Sequence, residues 1–186
     1  MSRAFTREED SENAIAGIGE RPISQHRNLV TDRGLALIEA ELVALRDDLG
    51  RAEKRADRER IALISRDLRY WTARRESAEL SVPEPGSDLV RFGMGVTLEG
   101  DDGRKVHWRI VGEDEADPAK GTISHVSPMA VALFGKRVGE IAVVNGKEWE
   151  IVKLSANESS IWTTWSRKKA AAPASSISPA ATISTS

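Results

Sequence analysis

Between Thr31 and Leu80 the apolar residues fall into two seams that can close only on each other. Leu35, Ile38, Leu42, Leu45 and Leu49 recur at alternating steps of three and four, and Ile61, Ile64, Leu68 and Trp71 repeat the pattern, with Arg75 and Ala78 continuing the spacing. Such a narrow stripe is the seam of a helix that packs on one neighbour. Each step forward along the first seam has a near-equal step back along the second: Ile38 opposes Trp71, Leu42 opposes Leu68, Leu45 opposes Ile64, and Leu49 opposes Ile61. This is the register of an antiparallel hairpin, and it puts the turn near Arg55. A turn nearer Gly50 is the alternative, since glycine ends helices readily. Thr31 or Asp32 supplies the N-cap oxygen.

Beyond Pro83, Pro85 and Gly86 the periodicity changes to that of strands. Val90, Phe92, Val96 and Leu98 suggest one strand. Gly100-Asp101-Asp102-Gly103 is a hairpin signal, and Val106, Trp108 and Ile110 alternate with His107 and Arg109. Gly121 to Ser124 reads as a short strand. Ser127 can cap a helix with Pro128 at its first position, where a missing N–H costs nothing. Met129, Ala132 and Leu133 form its inner side, and Gly135 stops it. Ile141, Val143 and Val144 lead into Asn145-Gly146, the strongest hairpin signal here, after which Trp149, Ile151 and Leu154 return. The expected class is α+β: a helical hairpin, then a small antiparallel sheet crossed by one helix. The expected segments are a disordered stretch over 1–29, the hairpin over 30–81, a linker over 82–88, the sheet domain over 89–155 and a flexible tail over 156–186.

Composition excludes more than it selects. A net charge of -2 and a 40% apolar content give no global pull toward nucleic acid or an anionic membrane. The absence of cysteine removes disulfides and thiolate chemistry and agrees with a cytoplasmic location, and no signal peptide or spanning segment is visible. Local charge differs: residues 51–75 carry nine Arg and Lys against four acids, a net of +5. That suits contact with phosphates or acidic walls, although charged helix faces ordinarily just solvate a hairpin.

Other constellations favour bland readings. Glu113, Asp114, Glu115 and Asp117 lack EF-hand spacing and read as a solvated loop. Ser127 with His125 and Asp117 has no nucleophile elbow around it, and capping explains the Ser-Pro pair. His26, His107 and His125 lack metal-ligand spacing. Trp162 and Trp165 would pack back on the sheet. No catalytic residue, metal or cofactor is expected.

A group of residues over roughly 30–154 resembles the bacterial GreA/GreB transcription elongation factors. It comprises Phe92-Gly93, Ile110-Val111-Gly112 with Glu113-Asp114-Glu115-Ala116-Asp117, Ile123-Ser124, Ser127-Pro128-Met129-Ala130, Ala132-Leu133, Gly135-Lys136 and Val138-Gly139, with Thr31-Asp32-Arg33-Gly34 at the first helix. The resemblance implies an FKBP-like C-terminal domain and, as partner, RNA polymerase. Ser127, Pro128 and Met129 would dock on the coiled coil of the largest subunit at the secondary-channel rim, with Val126 where many relatives have Asp. Contact with nucleic acid would be indirect, within the elongation complex, and no membrane is involved. The family's tip carries Asp-Leu-x-Glu-Asn, whose acids help hold a catalytic Mg²⁺. Here the tip candidates are Glu53, Arg55, Asp57 and Glu59, and acids two apart do not share a helix face. The hairpin is also shorter by roughly ten residues per arm, or about 15 Å of reach. The expectation is a non-enzymatic factor that binds the channel and modulates elongation or pausing, without stimulating transcript cleavage. The alternative is a regulatory module for another partner, such as a nucleoside diphosphate kinase regulator. A peptidyl-prolyl isomerase is a third reading, from fold analogy alone.

Overall fold

The computed structural model describes residues 19–83 and 86–156. The expectations for residues 1–18 and 157–186, including Trp162 and Trp165, lie outside the described residues. The elements run β1 (Leu29–Val30), α1 (Asp32–Lys54), α2 (Arg58–Glu76), β2 (Glu79–Leu80), β3 (Gly95–Gly100), β4 (Lys105–Val111), β5 (Thr122–Ser124), α3 (Pro128–Leu133), β6 (Ile141–Val144) and β7 (Lys147–Ser155).

Helices α1 and α2 form the hairpin. Thr31 is the N-cap of α1, its Oγ1 accepting from the Gly34 amide at 2.9 Å. Ile38, Leu42 and Leu45 are buried along α1 and Ile64 along α2, with Leu35, Leu49, Ile61, Leu68 and Trp71 packed around them. The turn takes Arg55 to Asp57, and Gly50 lies inside α1. The Asp57 amide donates to the Ala52 carbonyl at 3.1 Å and the Ala56 amide to the Glu53 carbonyl at 3.0 Å, the paired bonds of a Schellman stop. Its left-handed position, usually glycine, is held by Ala56 at φ 54°. A Cβ there costs about 1–2 kcal/mol, while glycine gives back about 0.5–1 kcal/mol in chain entropy. Ala56→Gly is therefore expected to raise the unfolding free energy by about 0.5 kcal/mol, read as a higher urea midpoint with unchanged slope.

One seam position differs from the sequence reading. Arg75 is exposed and pairs with Glu39 at 2.9 Å, whereas Arg74 is buried. At the open end of the hairpin the surface facing α2 is no longer α1 but the loop after β4, so the buried face turns by one residue.

The sheet order is β5-β4-β3-β7-β6. It is mixed, not antiparallel throughout: β5 runs parallel to β4, with Ile110 opposite Ile123. A parallel neighbour needs a crossover, and the chain makes it through two 3-10 turns, Glu113–Glu115 and Pro118–Lys120. The first strand starts later than its apolar residues suggest. Val90 and Phe92 are buried but irregular, because Val90 exchanges backbone hydrogen bonds with Lys136 and Gly135 after α3. Asn145 and Gly146, at φ 52° and 74°, make the expected tight turn between β6 and β7. Val96, Leu98, Ile110, Ala142 and Ile151 cover one face of the sheet, and α3 closes it with Ala130 and Leu133.

His107 lies on the opposite face, its Nδ1 3.2 Å from Thr97 Oγ1. Desolvation, then the nearby Arg109 and Lys153 charges, hold its pKa below the usual 6.5. The unfolded chain therefore takes up the proton first on acidification, and stability falls as pH drops through 6.5, levelling off below the folded value. His107→Gln is expected to flatten the decline of Tm between about pH 7 and 5, leaving the carboxylate-driven loss below about pH 4.5. A decline of Tm identical to that of the unsubstituted chain would contradict this account.

Candidate functional site

Three places carry the residues singled out from the sequence: the start of α3, the hairpin tip and the acidic run after β4.

At the start of α3, Ser127 is the N-cap, its Oγ accepting from the Ala130 amide at 3.3 Å, and Pro128 occupies the first turn. The upstream Val126 amide donates to Ser124 Oγ at 3.3 Å, so the loop into the helix is held at both ends. The inner face is Ala130 and Leu133, both buried, with Met129 and Ala132 half-buried, a shift of one residue from the expected Met129, Ala132 and Leu133. The outer face was not read from the sequence. Pro128 is exposed there, as are Val131 at 61% and Phe134 at 36%, and Val138 follows at 54%. Pro128, Val131 and Phe134 stand at i, i+3 and i+6, a spacing that keeps them on one side of a short helix. It is an apolar surface fixed to a rigid sheet, suited to another protein rather than a small molecule.

At the tip, Glu53, Arg55, Asp57 and Glu59 are all exposed. Asp57 is occupied: its Oδ1 accepts from the Arg60 amide at 3.0 Å as the N-cap of α2. Glu53 and Glu59 form no ion pair among the described residues. Asp48 binds Arg51 and, at 3.4 Å, Arg60, and the Arg51 hydrogen bond lowers its pKa most. Lys54, Arg55 and Arg58 form no ion pair among the described residues. No group of three or more His, Cys, Asp or Glu suited to a metal occurs among the described residues.

The acidic run departs most from its expected reading as a solvated loop. Asp114 accepts from Tyr70 Oη at 2.7 Å and from Arg74 Nε at 2.5 Å, and Glu113 lies 3.6 Å from Arg74 Nη2. The side chains of Arg74, Asp114 and Glu113 are 2%, 14% and 22% exposed, so this is a buried ion cluster joining α2 to the sheet domain. Glu115 reaches α1, where Thr31 Oγ1 donates to its Oε2 at 2.5 Å. Asp117 alone does what a loop acid does: it caps the second 3-10 turn and pairs with Lys120 at 2.8 Å. Burial, then the Asp114 hydrogen bond, raises the Tyr70 pKa above its usual 10.0, keeping its proton in place as a donor. The missed residues here are Tyr70 and Arg74; Thr31 was read as a cap, but not as a partner of Glu115. Four acids within five positions, opposite a seam that continues into arginine, were the only available sign.

Segment 19–29, expected to be disordered, also joins in. Glu20 pairs with Arg69, and the Arg21 guanidinium sits 3.8 Å from the centroid of the Tyr70 ring. Asn28 Nδ2 donates to the Arg74 carbonyl at 2.6 Å, and β1 pairs in parallel with β2, tying the chain before α1 to the chain after α2. His125 is buried edge-on against Phe92, which accounts for it without a nucleophile.

The sheet domain thus presents a capped helix with an apolar outer face and carries a helical hairpin. Residues 84–156 match the family model described as "Transcription elongation factor, GreA/GreB, C-term". The chain is 39% identical over 102 residues to transcription elongation factor GreB of Pasteurella multocida, a match covering 54% of this chain and 65% of that protein. It is 42% identical over 80 residues to transcription elongation factor GreA of Bradyrhizobium diazoefficiens, covering 40% and 51%. The chain thus spans between half and two thirds of the curated relatives it matches. Residues 84–156 are thus similar to the C-terminal domain of GreA/GreB transcription elongation factors. The crystal structure of GreA factor homolog 1 of Thermus thermophilus aligns at 21% identity over 70% of this chain and 99% of that one, with a TM-score of 0.35. No helix among the described residues is long and apolar enough to cross a membrane.

Proposed function

We propose that this protein binds RNA polymerase and modulates elongation or pausing, docking through Ser127, Pro128 and Met129 while its hairpin reaches into the secondary channel. The supporting observation is the start of α3. Within the segment that matches the GreA/GreB domain, a side-chain cap holds Pro128 in the open, and Val131 and Phe134 extend it into an apolar surface. The coiled coil of the largest subunit at the channel rim is the partner of this surface.

The tip argues for modulation without stimulated cleavage. Holding a catalytic Mg²⁺ asks for free carboxylates converging on one point. Asp57 caps α2, and Glu53 and Glu59, the other two acids, have Lys54, Arg55 and Arg58 between them in the chain. The factor takes no cofactor and supplies no catalytic residue. Its basic arm makes salt-sensitive contact with phosphates or acidic walls.

The test is retention of core RNA polymerase on the immobilised full chain. Binding at near-micromolar concentration, abolished by Pro128→Glu and retained when residues 44–65 are replaced by a short loop, supports the docking assignment. Failure of the unsubstituted chain to bind overturns it. A backtracked complex then examines the tip. Cleavage dependent on Glu53, Asp57 or Glu59 would refute the modulatory reading.

A further inference from the structure

The geometry points to Arg74 as the positioning residue that fixes the direction of the hairpin relative to the sheet domain. The inference goes beyond the docking assignment; only its purpose, aiming the tip inside a channel, rests on that reading.

A two-helix lever needs little freedom at its root to lose its aim. α2 has 19 residues, so it is about 29 Å long, and a slack of about 10° at the root moves the tip by about 5 Å. Apolar packing alone restrains rotation poorly, since it is non-directional. Directed contacts do better, and here three residues from two helices converge on one short loop. Arg74 in the last turn of α2 bonds Asp114 and faces Glu113. Tyr70, one turn back on α2, bonds the other oxygen of Asp114. Thr31, at the first turn of α1, bonds Glu115. Both helices are thus pinned to Glu113–Glu115 by charge-assisted hydrogen bonds, the more directional and stronger kind.

Two glycines make room for this seating. A Cβ on Gly112, just before the acidic run, would lie 2.7 Å from the Leu29 carbonyl oxygen, and a Cβ on Gly34 would lie 2.8 Å from Glu115 Oε2. One glycine belongs to the sheet domain and the other to α1, so backbone and side chain approach closely from both bodies. β1 then crosses the junction with Leu29 against the sheet core and Val30 in the hairpin core. The Asn28 side chain holds the Arg74 carbonyl, completing a frame around the arginine.

A cluster serving stability alone could be loosened without changing direction; a positioning cluster could not. The chain has no cysteine, so spin labels placed by Lys54→Cys at the tip and Glu148→Cys on β7 are the only ones present. Double electron–electron resonance on the full free chain should give one narrow distance distribution. Arg74→Lys, which keeps the charge but loses the planar fork, is expected to broaden it at least twofold at unchanged helicity. Asp114→Asn, which keeps the shape and loses the charge, should do the same and serves if the lysine variant folds poorly. Leu45→Ala, in the middle of the hairpin, is the control: it lowers Tm and leaves the width unchanged. A distribution as narrow in both root variants as in the unsubstituted chain overturns the proposal, as does equal broadening by Leu45→Ala. The measurement needs no polymerase, so failure of the chain to bind polymerase would sink the docking assignment and leave this result standing. Where binding holds, the root variants should stay bound and lose at least half their effect on elongation.

Discussion

Arg74→Met is expected to lower the unfolding free energy by about 3–5 kcal/mol, the cost of leaving buried carboxylates without their partner. The size follows from burial, not from the ion pair itself. Arg74 is 2% exposed and Asp114 14%, so water cannot replace the lost guanidinium at the Asp114 carboxylate, whereas Glu113 at 22% can turn partly outward. The surface pairs give the contrast. Arg75 with Glu39 and Arg137 with Asp88 are 45% or more exposed on both sides, and breaking either should cost about 0–1 kcal/mol. Arg74→Met/Asp114→Leu should recover at least half of the loss, because exchanging both members of a buried pair for apolar groups removes the orphaned charge. Urea denaturation of the four members of this cycle measures the coupling directly. A single variant within 1 kcal/mol of the parent would show that the cluster is wetter than its burial indicates.

Ile38→Ala should cost about 2–5 kcal/mol, transfer loss plus the cavity left behind. Ile38 is 1% exposed and packs with Val30, Leu42, Leu35, Leu68, Trp71 and Ala78, so both helices and β1 line the space vacated. Its neighbour Leu37 is 47% exposed, and Leu37→Ala should stay within about 0.5 kcal/mol. The pair tests the seam at a single step along one helix. Because Val30 shares this cluster, the loss should also reach the root, where the Glu79 and Ser81 amides bond the Asn28 and Val30 carbonyls. Faster hydrogen exchange at those two amides in Ile38→Ala is the matching local readout.

The hairpin was legible because its signals are local. Three-and-four spacing sets the buried stripe, Thr31 and Asp57 cap by side-chain oxygen, and the matched steps of the two seams put the turn at Arg55. The Asn145-Gly146 turn and the Ser127 cap were legible for the same reason: each is decided by the φ or the hydrogen bond of one or two residues. The face proposed for docking was half legible. Ser127 and Pro128 stand out by their capping chemistry, but nothing in the local sequence singles out Val131 and Phe134. Only the placement of α3 shows that Ala130 and Leu133 turn inward and leave those two exposed.

The misread elements all depend on a neighbour distant in the chain. β5 reads as a strand in isolation, but its parallel pairing follows from the crossover through the two 3-10 turns. Arg74 and Arg75 are indistinguishable by spacing, and the loop beneath the hairpin decides which is buried.

By itself, then, the sequence determined the hairpin with its turn, the capped helix proposed for docking, the α+β class and the resemblance to GreA/GreB factors, since these reside in local periodicity, capping and short motifs. Tertiary structure alone decided which way the hairpin points and what the acidic run is for. A carboxylate in a polar run solvates or locks according to what faces it. Here the facing residue, Arg74, lies 40 positions from Asp114, and it is buried at a junction where Gly112 and Gly34 leave room for close approach.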